Sequence, residues 1–189
     1  VESFDTIFEV NVRGPFFLTA ALLPKMIARG SGAIVNISTM YASVGVADAP
    51  VVAAVKAALE SFTRSWAAAF GANGIRVNTV APGPTRTDGA VGALGDWLEQ
   101  LGSATPLGRT ADPTEIAEAI AFPASPQASY LTGTTVAVDG GFTGSDQTRI
   151  RQTWWASPAS SPCSASTSSS RPRSGPPADS PARPTAARR

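Results

Sequence analysis

Residues 32–56, GAIVNISTMYASVGVADAPVVAAVK, decide how the chain is read. Ala33 to Ile37 is an almost unbroken apolar run containing β-branched residues, which suits a parallel strand covered on both faces rather than a half-exposed hairpin strand. Asn36, Ser38 and Thr39 put polar groups at its carboxyl end, where open α/β sheets hold ligands. A loop of small residues follows, then a helix start that carries a single cation, Lys56. Small polar residues also end many strands that bind nothing. The strand, hydroxyls and lysine are therefore a candidate site that the rest of the chain must support.

Outward from this stretch, apolar residues at helical spacing (Phe4, Ile7, Phe8, Val10, Val12, Phe16, Phe17, Ala20, Leu23, Ile27) predict a helix over residues 3–29, with kinks or breaks at Pro15 and Pro24 because proline removes a donor and crowds the preceding turn. Gly30, Ser31 and Gly32 close it. A second helix is predicted over residues 50–70, with Leu59, Phe62, Trp66 and Phe70 as a stripe and alanines narrowing its first half. Gly71, Asn73 and Gly74 stop that helix, and Ile75 to Ala81 reads as a second buried strand. After Pro82 and Gly83 comes a Gly/Pro/Thr-rich loop with a short helix from Asp96 to Leu101. Asp112, Pro113 and Glu115 mark a third long helix start, with Ile116, Ala119, Ile120 and Phe122 toward the core and Pro123 ending the helix early. Thr134 to Val138 is a third strand, closed by Asp139, Gly140 and Gly141.

Strand–helix–strand–helix–strand is the order of a parallel sheet wound with helices. No G-x-G-x-x-G turn occurs anywhere in the sequence, and the expectation is that the first half of such a domain is absent from this chain. The lack of an initial Met fits a chain that begins partway through a longer protein.

Hydrophobic residues make up 43% of the 189 residues but are concentrated before about Thr143, so residues 1–144 are expected to fold as one unit. Residues 145–189 are a Ser/Pro/Ala/Arg-rich tail without periodicity, expected to be disordered. Charge divides at the same boundary: seven Arg and two Asp leave +5 on the tail and −4 on the body. Without Lys or repeated Arg motifs the tail is not expected to bind nucleic acid, and its composition also fits GC-rich coding DNA read in a shifted frame.

The chain has no His, and its one Cys is Cys163 in the tail. That excludes an intrachain disulfide, the usual zinc sites and any Ser-His or Cys-His nucleophile pair. No apolar run reaches the roughly 18 residues of a membrane span, and the start lacks a basic-then-apolar leader. A cytoplasmic location and no membrane contact are expected.

Asn11-Val12-x-Gly14, IVNIS at 34–38, Lys56-Ala57-Ala58-Leu59, IRVNTVAPG at 75–83, Thr87, LGR at 107–109, Pro113-x-Glu115-Ile116, Leu131-Thr132-Gly133 and Val138-Asp139-Gly140-Gly141 occur in this order. Together they resemble the later half of the short-chain dehydrogenase/reductases over nearly all of residues 1–144. The resemblance implies an α/β, Rossmann-like, doubly wound parallel sheet whose N-terminal half, with the Gly-rich cofactor turn, is missing. It implies NAD or NADP as cofactor, hydride transfer to or from a small alcohol or carbonyl substrate, and homo-oligomers built through the helices at 3–29 and 50–70. Residue by residue, Asn11 would hold a water in a proton relay. Lys56 would bind the nicotinamide ribose and lower the pKa of a tyrosine. Pro82, Gly83 and Thr87 would fix the carboxamide and phosphate.

Two positions depart from that pattern. The serine falls at Thr39, which keeps a hydroxyl but adds a methyl. The tyrosine falls at Val52, one helical turn before Lys56, and valine has no proton to give or take. A positioned acid/base is worth a factor of about 10²–10⁴, so turnover is expected to be severely reduced. Tyr41 lacks the helical register to Lys56 that a substitute would need. The competing expectations are a non-catalytic partner that pairs through its two long helices with an intact relative, or a truncated or frameshifted product.

Overall fold

The computed structural model describes residues 2–47 and 49–145; the segment expected to be disordered, and Cys163 with it, lies outside them from residue 146 on. Three parallel strands form one sheet in the order β1 (Gly32–Ile37), β2 (Ile75–Pro82), β3 (Thr135–Val138). Gly32 pairs with Ile75 and Ile37 with Val80; Thr79 pairs with Thr135 and Pro82 with Val138. The helices are α1 (Glu2–Phe8), α2 (Gly14–Arg29), α3 (Pro50–Phe70), α4 (Asp88–Leu94), α5 (Asp96–Ser103) and α6 (Pro113–Ala124). The strand–helix–strand order expected from the sequence is the one observed, with α3 and α6 as the crossovers.

Alternation along β2 distributes its side chains between two layers. Ile75 and Val77 pack with Leu23 of α2 and with Trp66 and Ala67 of α3, joined by Met26, Ile34, Phe62 and Phe70. Each large side chain buried there contributes about 1.5–3 kcal/mol relative to exposure. Arg76 and Asn78 serve the α6 side. The Arg76 guanidinium donates to the carbonyls of Pro123 at 2.7 Å and Ser125 at 2.9 Å, closing the end of α6 where free carbonyls collect. Asn78 Nδ2 donates to Leu131 O at 2.8 Å.

The entries to β1 and β2 meet at two glycines. Gly74 has φ +75°, and a Cβ on it would lie 2.2 Å from Gly30 O, so no other residue fits.

Four expectations are corrected. The break assigned to Pro15 falls one turn earlier, as a π-helical turn at Glu9–Arg13 in which Gly14 N–H donates to Glu9 O, five residues back. Pro15 has no N–H for the Asn11 carbonyl and its ring crowds it, and widening the preceding turn relieves both. At Pro24 the helix continues; Ala20 and Pro24 are both exposed, so water can take the carbonyl that loses its donor. On α6 it is Pro123 that is buried and Phe122 that is 53% exposed, and the helix runs one residue past the proline. Finally, the loop after Gly83 contains α4 as well as a longer α5.

Candidate functional site

Helix α3 is fastened to the end of β1 by three consecutive contacts. Asn36 Nδ2 donates to Thr63 Oγ1 at 2.7 Å, and the Thr63 and Thr79 hydroxyls share a hydrogen bond of the same length. Lys56 Nζ donates to Ile37 O at 3.0 Å. Ser38 Oγ donates to Glu60 Oε1 at 2.6 Å. Lys56, Glu60 and Thr63 follow one another at helical spacing, so one face of α3 reads the strand in register. Asn36, Ser38, Glu60, Thr63 and Thr79 are all buried, and no buried side-chain polar atom among the described residues lacks a partner.

The half-buried position of Lys56 costs its ammonium hydration and pushes its pKa below the ordinary lysine range. Val52, one turn before it, is 37% exposed. Thr39 caps the short 3₁₀ turn Met40–Ala42, its Oγ1 accepting a long 3.5 Å bond from Tyr41 N–H. Asn11 lies in the π-helical turn, which packs against α3, and its Nδ2 donates to Ile7 O at 3.0 Å.

Across the strand ends, Gly83 passes so close to β3's exit that a Cβ on it would lie 2.6 Å from Asp139 Cα. The glycine is thus required by the fold itself. Thr87 caps α4, its Oγ1 accepting from Ala90 N–H at 3.1 Å. At the start of α6, Asp112 caps the helix as expected from the sequence, and Glu115 completes a reciprocal capping box with it. Arg109 then grips Glu115 with two bonds of 2.7 Å, tying the 105–111 loop to the helix. Together with the Asp112 N–H, that grip lowers the Glu115 carboxyl to about 2.

These segments enclose a cavity of about 440 Å³ at the carboxyl end of the sheet. Ser38, Thr39, Pro82, Gly83 and Thr87 line it, so four of the site residues expected from sequence converge there. Asn11, Val52 and Lys56 do not line it; Val52 and Lys56 stand in the first two turns of α3, and the π-helical turn that carries Asn11 packs against that helix. Sequence reading missed three contributors. Glu60 was passed over because a charged helical residue is ordinarily solvated, although its i+4 spacing from Lys56 aims it at the same strand. Leu98 and Leu101 fall on the short helix expected from Asp96 to Leu101, but their place in the cavity wall was not expected.

A family model described as enoyl-(acyl carrier protein) reductase matches residues 1–143. The cis-4-hydroxycyclohexanecarboxylate dehydrogenase of Sinomonas cyclohexanicum is 42% identical over 143 residues, which cover 76% of this chain and 57% of that protein. A solved short-chain dehydrogenase/reductase family protein is 53% identical with a TM-score of 0.73, covering 77% of this chain and 60% of its own. The gluconate 5-dehydrogenase of Burkholderia cenocepacia, solved with NADP and tartrate, is 31% identical with a TM-score of 0.73, covering 77% and 58%. This chain, spanning somewhat more than half the length of the relatives it matches, belongs to the short-chain dehydrogenase/reductase family.

Proposed function

We propose that residues 1–144 carry the nicotinamide and substrate end of an NAD(P)-dependent alcohol/carbonyl oxidoreductase site whose acid/base position is occupied by Val52. The observation that carries this reading is Lys56, held at the end of β1 by the Ile37 carbonyl on a helix that presents Val52 one turn earlier. An ammonium has three donors; with one on Ile37 O, two remain for ribose hydroxyls. The Thr87 hydroxyl accepts from Ala90 and keeps its hydrogen for a ligand. The residues present therefore fit the nicotinamide-ribose end of the cofactor, while the sequence has no glycine-rich turn for its pyrophosphate. When bound, the nicotinamide supplies or accepts a hydride. Thr39 orients the substrate oxygen through its hydroxyl. Asn11, with Nδ2 committed to Ile7 O, offers Oδ1 to a relay water.

No side chain at position 52 protonates the alkoxide that hydride transfer creates. The native chain is expected to show negligible NAD(P)H-dependent carbonyl reduction. Val52→Tyr, which places a phenol one turn from Lys56, is expected to raise turnover by a factor of about 10²–10⁴. Cofactor-dependent turnover by the native chain at the level of Val52→Tyr would sink the assignment of position 52.

A second reading, a non-catalytic oligomerisation partner, is favoured by the apolar residues left open on α1 and α2: Phe4, Phe16, Phe17, Leu18 and Leu22 are all more than 40% exposed. In the first reading the protein is a homo-oligomer through residues 3–29 and 50–70; in the second the same helices pair it with an intact relative, and both readings place it in the cytoplasm. No described helix is long and apolar enough to cross a membrane.

A further inference from the structure

The cavity's walls are short of polar capacity. Leu94 and Leu98 from the α4–α5 pair, Ile116 and Ile120 from α6, and Met40 make up its apolar lining, and no Asp, Glu, Lys, Arg, Asn or Gln is among the residues that line it. Its polar side-chain oxygens are the hydroxyls of Ser38, Thr39, Tyr41, Thr85 and Thr87, and two of these have hydrogens already committed. Ser38 spends its hydrogen on Glu60 and Thr85 spends its own on Gly83 O at 3.0 Å. Thr87 keeps a hydrogen, which the reading above gives to the cofactor. Thr39 only accepts, and weakly, so its hydroxyl hydrogen points to no acceptor among the described residues.

We propose, resting on that oxidoreductase reading, that the cavity takes an uncharged, largely apolar ketone or alcohol with one polar oxygen seated on the Thr39 hydroxyl, and excludes carboxylates and polyols. A carboxylate entering these walls would lose its hydration with no cation to replace it. Each additional hydroxyl would be dehydrated without a partner, and an apolar pocket rejects one added hydroxyl by up to about 10²-fold. Leu94, 41% exposed at the rim, is the side chain best placed to set this preference.

The test titrates the 189-residue chain with 4-tert-butylcyclohexanone, 4-oxocyclohexanecarboxylate and sorbitol by ligand-observed NMR, with NADPH binding followed separately by fluorescence. Saturable binding of the alkyl ketone, at least about 10²-fold tighter than either other probe, is the expected result. In Leu94→Arg, checked for folding by circular dichroism, the ketone should weaken and the carboxylate should gain at least tenfold. Equal or tighter binding of the carboxylate or sorbitol by a chain that binds NADPH overturns the proposal. So does binding of none of the three by such a chain. Ketone selectivity without NADPH binding would instead leave the cavity's preference standing and overturn the oxidoreductase reading.

Discussion

Glu115 accepts two bonds from Arg109 and one from the Asp112 backbone, and its carboxyl is lowered to about 2 from an ordinary value near 4.5. Its pKa is lower in the folded chain than in the unfolded one, so the stability it contributes is fully present above about pH 4.5 and is lost as pH falls toward 2. Melting temperature followed from pH 6 to pH 2 should therefore drop more steeply in the native chain than in Glu115→Gln, the two curves converging at the acid end. Arg109 and Glu115 are half-exposed, with side chains 54% and 42% accessible, and added salt at pH 6 should narrow the gap between the curves. The same residue scale holds the sharpest contrast in the chain: Lys56 is placed and desolvated, while the neighbouring position 52 has only hydrocarbon.

At the scale of elements, α3 is located by polar contacts as much as by packing. Thr63 is fully buried and bonds Asn36, Thr79 and the Leu59 carbonyl. Thr63→Val keeps the volume but strands Asn36 Nδ2, and should cost about 1–3 kcal/mol in urea unfolding. A loss within a few tenths would mean that the network is not holding the helix. The strands and α3 were legible in the sequence because their apolar runs are long and their stops are glycines; α3 occupies the residues expected of it. Helix α4 was not, because Gly89, Gly92 and Gly95 mimic a loop and only the Thr87 cap betrays a helix start. Phe122 was misassigned because counting apolar positions cannot tell which side of the last turn Arg76 will close. Of the site, the hydroxyl and Lys56 could be read from spacing. The Ser38–Glu60 bond could not, since it depends on how far α3 sits above the sheet.

At the scale of the molecule, the three strands of the described residues, with α2 and α3 on one side and α6 on the other, leave much apolar surface uncovered. Leu18 at 62% and Phe17 at 58% exposure lie on one continuous helix, close to the ring cluster of Phe16, Phe62 and Trp66. Sedimentation over a hundredfold dilution should show a reversible oligomer that Leu18→Lys with Leu22→Lys shifts toward monomer; a native chain that stays monomeric throughout would remove this interface. The π-helical turn governs how that surface is composed. One residue beyond what a regular helix needs offsets α2 from α1 by about 100° around the axis. Upstream, Phe4 meets Phe8 at 4.7 Å between centroids, whereas downstream Phe16 meets Phe62 at 5.4 Å. The wide turn is therefore a phase shifter between two angular series of side chains. Removing any one residue from 9–13 would mend the helix and misdirect the rings, so at this point chain length carries as much structural information as residue type.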